Sequence, residues 1–105
     1  MINNIESDGD EELLRGKLNS ETAKIRWSEL QRFFAAGQTL FVVADLDLID
    51  VAYAFSQDNT GQVKDWLQQE LVAPVTDAQA RDWFNQDTLL WTVVVKPWVL
   101  VQIPR

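Results

Sequence analysis

The final segment, "LLWTVVVKPWVLVQIPR" (residues 89–105), decides the fold class of this chain. Aromatic and β-branched residues fill it on both sides of Lys96–Pro97, which predicts two β segments. Because Pro97 has no N–H to donate to a ladder, the pair marks either a tight turn between antiparallel strands or a bulge in one long strand. We predict the turn, so that the chain ends in a hairpin.

Upstream of this segment, apolar residues recur with helical and strand periods in alternation. The helices are predicted at about residues 10–23 and in "WSELQRFFAAG" (27–37), "DLDLIDVAYAFSQDN" (45–59), "GQVKDWLQQE" (61–70) and "TDAQARDWFNQ" (76–86). Two further strands are predicted in "TLFVVA" (39–44) and "LVAPV" (71–75), where Pro74 suits an edge strand.

Cap residues support several of these boundaries. Ser28 and Gln31 have the spacing of a capping box, and Gly37 is placed to end the same helix in a left-handed conformation. Thr76 or Asp77 can begin the last helix. The predicted fold class is therefore α+β: a small, mostly antiparallel sheet of about four short strands, including the C-terminal hairpin, covered by four to five helices. Residues 29–75 with the terminal strands have a winged-helix-like order, in which residues 61–70 form the second helix of a helix–turn–helix.

The composition excludes several kinds of chemistry. The 105 residues favour one domain, and 47% of them are hydrophobic. No Cys is present, which excludes disulfides and thiolate metal sites, and no His is present, which excludes imidazole catalysis. No apolar run approaches the roughly 20 residues of a membrane span, and no basic and apolar leader begins the chain. We expect a soluble cytoplasmic protein that does not act in a membrane.

The net charge of −7 is placed unevenly. Residues 1–12 carry five acidic side chains and no basic one, so the remaining residues contribute only −2. The acidic residues of this segment are Glu6, Asp8, Asp10, Glu11 and Glu12. We expect residues 1–9 to form a disordered acidic tail and residues 10–105 to form a single α+β domain.

Deleting residues 1–9 should therefore leave the melting temperature within a few degrees of that of the full chain, because a disordered segment contributes few native contacts. Thermal unfolding followed by circular dichroism measures this. A large drop in melting temperature would contradict the prediction and would show that the tail docks on the domain. The basic segment 15–32 would be the docking site that its acidic charge favours.

The segment "FVVADLDLID" (41–50) carries an Asp-x-Asp pair after an apolar strand. It resembles the way in which haloacid-dehalogenase-type phosphatases present a nucleophilic aspartate, here Asp45, and an acid/base, here Asp47, to Mg²⁺. The Gly-Thr that usually follows is replaced by Leu48–Ile49, and the further residues that such a site needs have no place on so short a chain. A metal-dependent enzyme that uses the Asp45 and Asp47 carboxylates is therefore the least favoured alternative.

A structural interpretation accounts for the same residues. Asp47 is a good helix N-cap, and Asp50 falls in the first turn of that helix, near the positive end of its dipole. Asp45, Asp47 and Asp50 can also form an acidic surface for a partner. We predict no catalytic, cofactor-binding or metal-binding residue.

The hairpin supplies the candidate interface. In a two-stranded ribbon, alternate residues face opposite ways, and here both faces are largely apolar. One face can be covered by helices of the chain, and we expect the other to need a second cover, the first helix or a second copy. The residues predicted for this interface are Trp91, Trp98, Val99 and Val101.

Nucleic-acid binding is the alternative that the winged-helix-like order suggests. A DNA-binding face needs several Lys or Arg to displace counterions. The candidate recognition helix carries Lys64 against Asp65 and Glu70, and residues 15–32 carry a net charge of only +3. We regard a nucleic-acid partner as the weaker hypothesis.

Four segments together resemble one bacterial family, the domain of unknown function 2288. They are "LNSETAKIRWSELQRFFAAG" (18–37), "LDLIDVAYAF" (46–55), "VKDWL" (63–67) and "VVVKPWVLVQ" (93–102). The resemblance covers about residues 13–102. It implies a small cytoplasmic bacterial protein and supplies no catalytic residue, cofactor or partner. With no catalytic side-chain types in evidence, we predict a non-enzymatic protein-interaction module whose partner is another protein or a second copy of the chain.

Overall fold

The C-terminal segment forms the predicted hairpin. Strand β4, Leu89–Val95, pairs in antiparallel fashion with strand β5, Trp98–Gln102, and Lys96 and Pro97 lie at the turn between them. Val95 pairs with Trp98 next to the turn, and Trp91 pairs with Gln102 at the open end. Because the two strands are in full register around a short turn, Lys96–Pro97 is a turn and not a bulge.

The computed structural model describes the backbone of residues 2–105 and the side chains of residues 9–105. The helices are α1 (Ile2–Glu21), a 3-10 helix (Trp27–Glu29), α2 (Gln31–Ala35), α3 (Leu48–Ser56), α4 (Thr60–Gln68) and α5 (Asp77–Gln86). The other strands are β1 (Ala23–Arg26), β2 (Thr39–Val42) and β3 (Val72–Pro74). Most of the predicted tail, residues 1–9, lies outside the described side chains, so that its disorder and the domain boundary at residue 10 stay predictions.

One mixed sheet carries all five strands of the described chain, in the order β1-β4-β5-β2-β3. Its pairs are antiparallel except that of β2 with β5, which is parallel. β5 is the central strand, and β3, with Pro74, is an edge strand as predicted. The α+β prediction, with a mostly antiparallel sheet and a C-terminal hairpin, is confirmed.

The sheet separates two apolar cores. On the face that we call the front face, Val93 and Leu100 pack with Leu18 of α1 and Val51 of α3. On the opposite side, the back face, a second core contains side chains from the 3-10 helix, α5, β4 and β5. Its buried members are Trp27, Leu30, Val75, Ala80, Trp83, Leu90, Val99 and Val101. Helices of the same chain therefore cover both faces, and on the front face α1, the first of the two predicted covers, is one of these helices.

Two local predictions also need correction. The helix predicted to reach residue 23 ends at Glu21, and the chain turns into β1, which pairs with β4 and was not foreseen. No capping box forms at Ser28, because that residue lies inside a 3-10 helix and α2 begins only after Leu30. Gly37 does follow α2 in a left-handed conformation, with φ of 74°, as its position predicted.

The remaining helix starts follow their cap residues. The Asp47 carboxylate accepts a hydrogen bond from the Ile49 backbone N–H at 2.8 Å, and Thr76 forms a complete capping box with Gln79. Asn59 caps α4, which follows α3 after a short turn. Of the helices that the structure describes, none combines the length and the apolar character that crossing a bilayer requires.

Asp47 should matter to stability as a cap. Asp47→Asn and Asp47→Ser should be nearly neutral because both residues cap well, whereas Asp47→Ala should lower the free energy of unfolding by about 1 kcal/mol. Urea unfolding compares the three variants. Phosphatase activity toward a generic phosphoester that Asp45→Asn abolishes would contradict a purely structural role for this segment.

Candidate docking groove

A hollow on the described surface lies at one end of the front face. It is a groove of about 590 Å³ between the end of α3, the start of α4 and the β4–β5 turn. Asp58, with φ of 53°, lies in the left-handed region just after α3, and the Asn59 side chain then caps α4. This sharp change of direction sets the first turns of α4 opposite the hairpin turn and leaves the groove between them.

The floor of the groove is apolar and anchored. Phe55 and Trp98 are half-buried and pack against the front core with one part of their surface, while another part lines the groove. Val63, Leu67 and Pro97 complete the apolar lining, and Leu67 is 41% exposed. Because the two aromatic side chains are held in the core, the groove presents apolar surface in a fixed arrangement.

The walls of the groove carry a local positive charge on an acidic protein. Lys64 on α4 and Lys96 at the hairpin turn are both exposed and both line the groove, together with one carboxylate, that of Asp58. Neither lysine takes part in any ion pair formed among residues 9–105. These three charges sum to +1, whereas the whole chain carries −7. The groove is thus suited to a ligand with apolar and acidic parts.

The structure separates the four residues predicted for an interface. Trp98 lies in the groove, but Trp91 is four residue pairs away along the hairpin, about 13 Å at 3.3 Å per residue. Trp91 lines a second hollow of about 410 Å³, and the Lys24 ammonium lies 5.1 Å from the centroid of the Trp91 ring. Val99 and Val101 are only 1% and 0% exposed in the back core, so neither side chain is accessible to a partner.

The three aspartates predicted for an acidic surface have separate partners. Asp47 caps α3, Asp50 accepts a hydrogen bond from Arg15, and Asp45 lies 3.6 Å from Arg105. Arg15 donates side-chain hydrogen bonds to Asp50 and to Glu11. Both bonds raise the pKa of Arg15 above its ordinary value, and the bond to Asp50 has the larger effect. Within residues 9–105, no cluster of three or more acidic side chains has the arrangement of a metal site.

The basic segment 15–32 has much of its charge paired or stacked. Arg15 forms ion pairs with Glu11 and Asp50, and Arg26 pairs with Asp87. Lys24 lies over the Trp91 ring, and the Arg32 guanidinium lies over the ring of Phe33. The segment therefore presents less free positive charge than its sequence suggests.

Sequence reasoning missed the part of the groove that α4 contributes. Thr60, Lys64 and Leu67 recur at intervals of four and three residues, so that they share one face of the helix. The sequence signal was available, since Lys64 and Leu67 lie in the predicted helix that includes the end of the turn segment "DNTGQ". The sequence did not show that the hairpin turn lies opposite this face of α4.

The fold and the groove together define a small α+β protein with two helical layers around one sheet and an open groove at one end. The family model described as "Protein of unknown function (DUF2288)" matches residues 13–103, and the chain belongs to this family. It is similar to the protein of the NMR solution structure of PA1075 from Pseudomonas aeruginosa, with 44% sequence identity and a TM-score of 0.77. That match covers 89% of this chain and 86% of the other. No curated protein matches the chain.

Proposed function

We propose that this chain is a non-enzymatic protein-interaction module and that the groove between α4 and the hairpin turn is its docking site. The observation that carries the proposal is the apolar groove floor around Trp98, flanked by the ammonium groups of Lys64 and Lys96. The proposed occupant is a protein segment with an apolar anchor residue and neighbouring carboxylates. A cytoplasmic location belongs to the same proposal, and the cysteine-free sequence is compatible with a reducing compartment.

The shape of the groove favours a segment of polypeptide. One wall is the face of α4 that carries Thr60, Lys64 and Leu67, and all three are exposed along a helix of nine residues. An apolar side chain of the partner can enter between this wall and Trp98, in the manner of helix-in-groove recognition. Partly exposed aromatic side chains in such positions are frequent anchors of protein interfaces.

The charges favour an acidic partner. Two lysines beside an apolar floor attract carboxylates and orient them, and complementary charge contributes mostly to specificity and to the rate of association. A nucleic acid would need a larger basic face, and Lys64 has Asp65 as its neighbour on α4. The paired arginines of segment 15–32 do not add such a face to the groove.

The test is affinity purification of the tagged full chain from its native host, with two double variants of equal charge. In Lys64→Glu with Lys96→Glu, the groove loses its positive charge. In Arg32→Glu with Arg81→Glu, two exposed residues of the back-face helices α2 and α5 change by the same amount. We expect the wild type and the back-face variant to retain the same partner protein and the groove variant to lose it.

Mass spectrometry identifies the retained protein, and cross-linking then locates the segment that contacts the groove. That segment should contain an apolar residue with neighbouring Asp or Glu. Retention of the same proteins by all three forms would overturn the proposal, as would a nucleic acid that only the groove variant fails to retain.

A further inference from the structure

We infer that a second copy of this chain supplies the docking segment, and that the segment is the part of α1 around Leu13. The inference rests on the proposed function of the groove and names its partner. It describes a symmetric dimer in which the Leu13 segment of each copy occupies the groove of the other.

Leu13 is an unusual side chain for the surface of a small protein. It is 75% exposed, more than any other large hydrophobic side chain among residues 9–105. The neighbouring Leu14 and Leu18 of the same helix pack against the front core, so α1 already has a face that its own chain covers. Leu13 points elsewhere and has the size to enter an apolar groove.

The charges around Leu13 match those of the groove. Asp10 lies three residues before Leu13 and so shares its side of the helix, and Glu12 is its direct neighbour. Both are exposed, and neither takes part in an ion pair formed among the described side chains. They are opposite in sign to Lys64 and Lys96, the two lysines of the groove.

The match extends one helical turn further. Lys17 lies four residues after Leu13 on the same side of α1, and it is exposed. Its charge is opposite to that of Asp58, the one carboxylate that lines the groove. Along α1 the segment therefore carries acidic, apolar and basic side chains in turn. The groove carries two basic groups, an apolar floor and one acidic group, so each kind of side chain has a counterpart.

The position of α1 makes a two-fold arrangement possible. Arg15 contacts Asp50 and lies 4.5 Å from the ring centroid of Tyr53, while Leu18, nearer the end of α1, packs in the same cluster as Leu48 at the start of α3. α1 thus runs antiparallel to α3, and Leu13 lies toward the end of α3 where the groove is. A segment and a groove at the same end of one molecule can form one self-complementary surface.

Leu13 does not fill the groove of its own chain in this conformation, because the residues that line the groove belong to α3, α4, β5 and the turns beside them, and none belongs to α1. α1 lies against α3 and β4 instead. A second copy therefore meets the requirements for an occupant with apolar and acidic groups.

The test uses the full chain at micromolar concentrations in multi-angle light scattering and sedimentation equilibrium. We expect a dimer for the wild type. Leu13→Glu should raise the dissociation constant by at least about tenfold, the effect of losing an anchor side chain, and should leave the melting temperature of the monomer unchanged. Ile103→Glu is the matched control, since Ile103 is 46% exposed and lies outside the groove and both cores.

A charge exchange gives the second readout. In the proposed dimer, position 12 of each copy lies near position 64 of the other. Glu12→Lys alone therefore brings two positive charges together at both contacts, and Lys64→Glu alone brings two negative charges together. Both variants should dimerise more weakly than the wild type. When they are mixed, each contact again joins opposite charges, so a heterodimer should form with close to wild-type affinity.

Three results would overturn the inference: a wild-type chain that stays monomeric, a Leu13→Glu variant that dimerises like Ile103→Glu, or a mixture that forms no heterodimer. Failure of the proposed function looks different. The chain could be monomeric while the Lys64 and Lys96 variant still loses a partner protein from the native host. The groove would then be a docking site, and only the inference that a second copy occupies it would be wrong.

Discussion

Replacing Val101 by Lys is expected to unfold this protein. Val101 lies in the central strand of the sheet, is 0% exposed and packs in the back core with Trp27 and Trp83. An ammonium group at this position would be buried without a carboxylate partner, which costs several kcal/mol. Since domains of this size are stable by roughly 5–15 kcal/mol, the variant should be unfolded or barely folded at neutral pH.

Val99→Lys should have the same effect, because Val99 and Val101 are two residues apart and face the same side of the sheet. Circular dichroism and urea unfolding at neutral pH measure both variants. Val94→Lys is the matched control in the same hairpin: its side chain is 49% exposed, so we expect it to change the free energy of unfolding by no more than about 1 kcal/mol. A Val101→Lys variant with a wild-type melting temperature would contradict the burial of this residue in the back core.

Trp27→Ala should produce the second large effect. The Trp27 side chain is 1% exposed and makes edge-to-face contacts with Phe34, at 5.5 Å between ring centroids, and with Trp83, at 5.2 Å. Truncation removes the indole from the middle of the back core and leaves a cavity. We expect the free energy of unfolding to fall by about 3–5 kcal/mol.

Trp98→Ala is the control for this experiment, because Trp98 is half-buried and lines the groove. Its truncation should cost less stability than that of Trp27 while it removes part of the docking surface. Urea unfolding gives both values. A loss for Trp98→Ala that equals or exceeds the loss for Trp27→Ala would contradict the assignment of Trp27 to the core and of Trp98 to the surface.

Most of the fold followed from local patterns in the sequence. The hairpin was predicted from two apolar segments around Pro97, α3 from Asp47, and the start of α5 from Thr76, because turns and caps are decided by residues close in sequence. The strand β1 was missed for the opposite reason. Its four residues, "AKIR", do alternate apolar and polar, but the segment is too short to stand out from the helical pattern before it, and it forms a strand because β4 offers an open edge far away in sequence.

The candidate site was predicted only in part, since it depends on contacts between distant segments. Trp98 was identified from its place beside the turn, but the α4 residues opposite it were not. Val99 and Val101 were predicted at an interface because an apolar strand must be buried, and its sequence does not show which part of the chain, or which partner, buries it. Here α5 and the 3-10 helix cover the back face, and no local pattern assigns a helix to one face of a sheet.

The measurement that tests the central claim most directly is photo-crosslinking in the native host from single sites of the full chain. A benzoylphenylalanine replaces Thr60, an exposed residue of the groove wall, or Arg81, an exposed residue of α5 on the back face. If the groove is a protein-docking site, position 60 should give one dominant adduct to a segment with an apolar residue and neighbouring carboxylates, and position 81 should give none. The absence of an adduct from position 60, or the same adducts from both positions, would contradict the claim.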